Sequence, residues 1–394
     1  MKIISMFVLL ILSAGFCSAT DQVTDKIADA MNDSNQATKL LAFASIVDMG
    51  ATGIDLAAQA LKSDEQMTRV FALIAMDIIE DPQAVEPLIE SLSSDDEQTR
   101  MVAALSLGWI KDPRAVDPLI ISLEDSDAQV RAYSAIALGW IRDPGAVDPL
   151  IKSLQDENSD MREASSVALG WIKDPRAVDP LIQAMKNDSS TSCMAAVSLA
   201  FINDTRAIVP MIDIMGSSSC GNEVVPGALA FMGEPVLDPL IQVLSDTNEK
   251  PEKRAGAAIA LGSLGDARAI NALAESLKDN DRNIRAKSAK ALGFIGDSQA
   301  NDALILALSD EDNLVRSNAA LALGMIGNSN AIDPLIAALE DDEESNVRAS
   351  SAEALGWIGD PKAADALIKS VQDEESDYVK SSAAEALKKI LKNH

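Results

Sequence analysis

Apolar positions along this chain fall into two alternating patterns. One is a tight run such as Val116-Asp117-Pro118-Leu119-Ile120, closing on Leu123; the other is a longer stretch, Val130 to Ile141, with apolar residues every three or four places. Recurrence at i, i+3 and i+4 marks one face of a helix. The pair therefore reads as two helices, a first containing Pro118–Leu123 and a second from about Ala128 to Ile141. Two Asp-Pro pairs, at Asp112 and Asp117, punctuate the start of the first helix, because Asp caps a helix and Pro fits its first position. The second Pro either separates a leading turn from the helix or kinks it. The acidic loop Leu123–Gln129 offers Asp127 as N-cap of the second helix. Gly265, Gly296, Gly327 and Gly359 stand at the left-handed C-cap of later second helices. Lys111, Arg142 and Lys173 stand there earlier, where a cation suits the helix dipole.

On a helical wheel, Val130, Ser134, Ala137, Leu138 and Ile141 cluster on the side expected to pack on the first helix. Tyr133 and Trp140 lie on one flank, Arg131 and Ala135 on the other. Ala132 and Ile136 are left for solvent, with Gly139 near that edge. A glycine inside a helix costs up to about 1 kcal/mol, so its recurrence points to a close backbone approach.

The pair repeats almost verbatim. Pro113–Asp143 and Pro144–Asp174 are near copies, and Trp109, Trp140 and Trp171 are spaced by 31 residues. Self-similarity at a period of about 20–50 residues means stacked repeats. The expected fold is all-α, an α-solenoid of about eleven two-helix repeats of about 31 residues each. Residues 20–50 read as a degenerate N-terminal capping repeat, 51–394 as the solenoid and 361–394 as its C-terminal cap. An irregular joint is expected at about 187–233, where Ser189–Ser192, Ser217–Ser219, Gly221, Pro226 and Gly227 intrude.

A recurrent Arg follows each loop, and an acid sits six residues before it. The pairs Asp125/Arg131, Asp156/Arg162, Asp279/Arg285, Asp310/Arg316 and Asp342/Arg348 predict a structural ladder, within or between repeats. Where repeats differ, a second pattern emerges. Leu105, Ile136 and Val167 occupy the outward position of three successive second helices, whereas Lys290, Glu353 and Glu385 hold it later. With Trp109, Trp140 and Trp171 on their flank, these residues form a candidate partner-binding stripe, since exposed apolar patches mark interaction sites and Trp is a frequent anchor.

Composition removes several function classes. Among 394 residues, Lys plus Arg number 33 and Asp plus Glu 61, a net charge of −28, with no basic stripe to neutralise phosphates; nucleic acid is not an expected partner. The sole histidine is His394. Nothing therefore builds a Ser-His-Asp triad or a His-type zinc site, and three cysteines are too few for four thiolates. No catalytic residue, metal or cofactor is expected. At the N-terminus, Lys2, an apolar run from Ile3 to Phe16 and then Cys17-Ser18-Ala19 form a secretory signal peptide over 1–19. The run is shorter than the roughly 20 residues that span a bilayer, so cleavage without membrane insertion is expected, and with it an extracytoplasmic location, secreted or at the cell surface. Export permits a disulfide between Cys193 and Cys220; the alternative is two buried thiols.

The A-V-D-P-L-I, L-x-D, V-R and A-L-G-W-I or A-L-G-x-I-G-D blocks resemble HEAT-like repeats of the phycobilisome-lyase type, from about residue 50 onward. The resemblance implies stacked helix pairs and a binding role. Deoxyhypusine hydroxylase uses similar repeats but binds iron through His-Glu pairs, for which this chain has no ligands. The function expected is a non-enzymatic, exported scaffold gripping a partner protein or peptide on the inner face of the solenoid. The alternatives are a lyase-type accessory protein acting on a tetrapyrrole and a structural cell-envelope component.

Overall fold

Local caps set the frame of every repeat. Asp112 accepts the backbone N–H of Arg114 and opens a 3-10 turn, Pro113–Ala115, that runs into the helix Val116–Ser122. The division falls at Ala115 and not at Pro118, because Pro118 is third in the helix, where no intrahelical N–H bond is lost. Asp127 accepts from the N–H groups of Gln129 and Val130, and the second helix spans Ala128–Ile141. Arg142 closes it in the left-handed conformation, its N–H donating to the carbonyl of Leu138. The next repeat follows the same plan with Pro144–Ala146, Val147–Ser153 and Ser159–Ile172.

In the computed structural model, which describes residues 27, 29–31, 35–79, 81–217 and 219–393, these elements are helices and 3-10 turns, with no strand among the described residues. The signal peptide expected at 1–19 lies outside them. Within each unit, second helices pack on their own first helices and on adjacent second helices, the arrangement of an all-α solenoid. The chain forms two compact units, Met1–Ser198 and Leu199–His394.

The contact between successive second helices explains the recurrent glycine. A Cβ on Gly108 would lie 2.5 Å from the Cα of Ala137, and one on Gly139 would lie 2.7 Å from the Cα of Ala168. In the second unit Gly262, Gly293 and Gly324 meet Ala291, Ala322 and Ala354 in the same way. This approach corrects the helical wheel. Gly139 is buried, Ala132 is buried and Ile136 is half-buried, because the neighbouring helix covers the edge that an isolated helix leaves to solvent.

The arginines bind across the repeat boundary. Arg131 donates from Nε and Nη2 to the Asp156 carboxylate, both at 2.9 Å, and from Nη1 to the backbone carbonyl of Asp125 at 2.9 Å. The acid six residues upstream thus contributes its carbonyl to its own Arg. Its carboxylate receives the Arg of the preceding repeat, as Asp125 does from Arg100. The carboxylate is held in that direction by the N–H two residues on, from Asp127 to Asp125 and from Asn158 to Asp156. Arg162 reaches Asp188 at 2.6 Å, ending the series in the first unit. In the second unit, Arg254, Arg285 and Arg316 reach Asp279, Asp310 and Asp342, and Arg348 reaches Glu374. Near the N-terminus the loop offers Ser94 in place of an acid, and Arg69 binds Asp96 and Thr99. Buried Lys39 stands in for the arginine of the first repeat and pairs with Glu65.

Within 187–233 the recurrent Arg is missing. The second helix of the second unit's first complete repeat is broken into Ser219–Glu223 and Val225–Phe231. Neither Cys193 nor Cys220 forms a disulfide: both are thiols, Cys193 half-buried and Cys220 buried in its local packing.

Two outcomes follow from these contacts. Gly139→Ala is expected to destabilise by about 1–3 kcal/mol through overpacking, whereas Gly227→Ala, with nothing within 4 Å of its added Cβ, is expected to stabilise by about 0.5–1 kcal/mol. Urea denaturation of both variants reads the opposite signs. The second outcome concerns acid. Burial raises the carboxyls of Asp125, Asp156 and Asp188, but their arginine and backbone hydrogen bonds outweigh it and hold them below the usual range. The Arg348 hydrogen bond brings Glu374 down to about 2. A carboxyl depressed in the folded state adds stability above its unfolded pKa, about 4.3 for Glu, and loses it as the pH falls through the folded value. Glu374→Gln should therefore be less stable than the parent at neutral pH, with the gap closing between about pH 4 and about pH 2; a gap that persists in acid refutes the pairing.

Candidate functional site

The second helices of the first unit carry one row of apolar side chains at a fixed place in each repeat. Leu105, Ile136 and Val167 stand in that row, all half-buried. Four residues further along each helix come Trp109, Trp140 and Trp171. The structure brings these three rings together. Trp109 and Trp140 meet edge to face with centroids 6.1 Å apart, and Trp140 and Trp171 stack at 6.4 Å and 27°. Aromatic pairs in such arrangements add about 0.5–1.5 kcal/mol beyond burial.

Glycine seats two of these rings. A Cβ on Gly108 would lie 3.1 Å from Cε3 of Trp140, and one on Gly139 would lie 2.9 Å from Cε3 of Trp171. The helix before Trp109 has Asp77 where the other two offer glycine, and Trp109 is the most open of the three, 44% exposed. The rings therefore seal the joints between repeats on one side and show an edge to solvent on the other.

The row is longer than its tryptophan motif suggests. Ile74 and Ile78 hold the two positions one repeat earlier, on the helix Gln66–Ile79, and both are exposed. Val197 continues the Leu105 row on the helix that begins at Ser192. Counting back 31 places from Leu105 and Trp109 reaches Ile74 and Ile78. The motif itself could not flag them, since Asp77-Ile78 replaces Gly-Trp.

In the second unit the same row is broken by charge. Its members are Ile259, Lys290, Leu321, Glu353 and Glu385. Of the equivalent Trp positions, Phe294 and Trp357 stay aromatic and Met325 does not, but Lys290 lies 5.5 Å over the Phe294 ring and Lys389 lies 6.0 Å over that of Trp357. The continuous apolar face belongs to the first unit.

At the end of this face the backbone is unusual. Lys111, Arg142 and Lys173 have φ of 59°, 62° and 62°, at C-caps where the second unit uses Gly265, Gly296, Gly327 and Gly359. A left-handed L-residue costs about 1–2 kcal/mol, and a cation at a helix C-terminus returns about 0.3–1 kcal/mol. The return falls short of the cost, so stability alone does not select a cation here.

The Arg–acid ladder lies elsewhere, in the loops that precede the second helices, where each guanidinium is consumed by two loops. Among the described residues no three His, Cys, Asp or Glu side chains gather as a metal site, and no helix is long and apolar enough to cross a membrane.

A sequence family described as HEAT repeats matches residues 54–128, 116–200, 237–308 and 301–388. No curated protein sequence matches. Among solved structures, Kap121p bound to Pho4p is similar with a TM-score of 0.68 at 14% identity, over 93% of this chain and 49% of that one. The Kap95:Nup1 complex gives 0.64 at 13%, over 94% and 63%. Yeast importin-β (Kap95p) gives 0.59 at 13%, over 98% and 62%. The chain thus spans about half to three fifths of the length of these structures, and at such identity the likeness concerns the fold.

Trp140, clasped between two rings and a glycine, should contribute more to stability than Trp109. Trp140→Ala is expected to cost about 3 kcal/mol, and Trp109→Ala, whose ring is 44% exposed, distinctly less. Thermal unfolding of the two variants checks the order; equal losses would contradict the seat that Gly108 provides.

Proposed function

Because the chain belongs to the HEAT-repeat family, we propose that it is a non-enzymatic scaffold that binds a partner protein or peptide along the second-helix face of its first unit. The observation that carries this reading is the unbroken row Ile74, Leu105, Ile136, Val167 and Val197 beside three touching tryptophans, set against a second unit whose equivalent row is interrupted by Lys290, Glu353 and Glu385. A fold that repeats one contact has no packing need for this difference, whereas a contiguous apolar patch is what a partner covers. Kap121p, a protein of similar fold, has been solved bound to Pho4p, which lends support to the solenoid as a binding platform.

In this reading the repeats are of the phycobilisome-lyase HEAT-like type, on the strength of their A-L-G-W-I blocks, and the protein works outside the cytoplasm after removal of residues 1–19. The tetrapyrrole-lyase and envelope-component readings have no structural observation of their own.

The second unit supplies the test. Lys290 and Glu353 show which side chains the fold accepts at the row, so Ile136→Lys and Leu105→Glu should change stability by about 0.5 kcal/mol or a little more. Affinity capture from the organism's extracytoplasmic fraction, with parent and double variant side by side, should recover a stoichiometric partner with the parent alone. A partner retained equally by both would refute the face, and an exported protein whose intact mass still includes residues 1–19 would refute the cleavage.

A further inference from the structure

We infer that Lys111, Arg142 and Lys173 make this face a site for an acidic peptide segment in which carboxylates alternate with apolar side chains. The inference rests on the binding face proposed above and names what it takes. Three observations converge on it. First, these three cations occupy a left-handed backbone position that Gly265, Gly296, Gly327 and Gly359 fill without strain in the second unit, where Asn203 also adopts it. Residues held in sparsely populated conformations cluster at functional sites. Second, all three are exposed, and none makes an ion pair among the described residues. Third, each lies two residues beyond Trp109, Trp140 or Trp171, so its Cα is within about 7 Å of that Trp Cα. The three cations therefore stand at the ends of the same three helices that carry the tryptophans.

Two of the three acids next to the cations are already paired with arginines, and the third caps a turn. Asp112 is bound by Arg114 at 2.8 Å and Asp174 by Arg176 at 2.9 Å, each also capping the following turn. Those hydrogen bonds hold both carboxyls below their ordinary range. Asp143, beside Arg142, caps the N–H of Gly145 at 2.7 Å. A chain with a net charge of −28 thus presents three exposed cations without an ion pair at the ends of the helices that carry its apolar face. Apolar side chains of a bound segment would lie on Leu105, Ile136 and Val167 and the Trp edges, and its carboxylates would meet the cations. Arg and Lys donate charge-assisted hydrogen bonds to such carboxylates.

The experiment uses the full chain and two synthetic peptide arrays. One alternates Leu or Phe with Asp or Glu; the other replaces every acid by Lys or Arg. Binding is read on the array and, for the strongest peptides, by tryptophan fluorescence, since three of the four tryptophans line the face. The key variant is Lys111→Gly/Arg142→Gly/Lys173→Gly, which restores the C-cap residue of the second unit. Acidic-array peptides are expected to bind the parent, to weaken with salt, and to lose about tenfold or more in affinity to the triple variant, whose melting temperature stays at or above that of the parent. Acidic peptides that bind the triple variant as tightly, or no binding from the acidic array, would overturn the inference. Peptides of either array that are lost with Ile136→Lys but indifferent to the glycine changes would overturn the acidic assignment alone. Peptides indifferent to Ile136→Lys would take down the binding face itself.

Discussion

Everything in this molecule hangs on how one helix pair is held to the next. The guanidinium of Arg131 binds the carbonyl of its own loop and the carboxylate of the following loop at once. A planar fork with five donors can do this; a lysine cannot do it bidentately. Because each Asp is also bound by its own downstream N–H, the pairing fixes the loop, the start of the second helix and the spacing between repeats together. These side chains are largely withdrawn from water, so removing one partner would leave a buried charge unmatched. The opposite ends of the same helices are set by contact without charge, glycine against alanine, at distances no other side chain allows. Loop pairing and glycine contact are the two anchors of each second helix, and between them its remaining face is at liberty to vary.

That liberty explains the difference between the two units. The ladder and the glycine seats recur in both, yet the row between them is apolar in one and interrupted by charge in the other. Variation in a repeat protein is informative where the architecture is indifferent to it. The tryptophans show how the two uses overlap. Trp140 and Trp171 fill the space over a glycine and so belong to the packing, while the edge they share with Leu105, Ile136 and Val167 remains open. The exposed acid–arginine pairs such as Asp112–Arg114 and Asp174–Arg176 add little stability of their own, but they silence the acids nearest the cationic row.

Much of this was written in the residues themselves. Asp127 as cap, the bounds Ala128–Ile141 and the left-handed glycines depend on interactions spanning a few positions of one helix, and sequence spacing reports those directly. The repeat period likewise determined the all-α stacked fold, because a helix pair with two apolar sides must bury one against a neighbour. Ile74 and Ile78 were legible only by register, since Asp77 removes the motif that marks the other repeats.

What the tertiary structure decided are the choices between partners that one repeat cannot distinguish. Asp125 lies six residues from Arg131 and is its neighbour in the chain, yet its carboxylate serves Arg100; only stacking brings Arg100 within reach. Ala132 and Gly139 look outward on an isolated helix and are buried because another backbone approaches to near contact. The sequence by itself determined the unit and that it would stack; the direction in which each polar group finds its partner was settled by the distances that stacking creates.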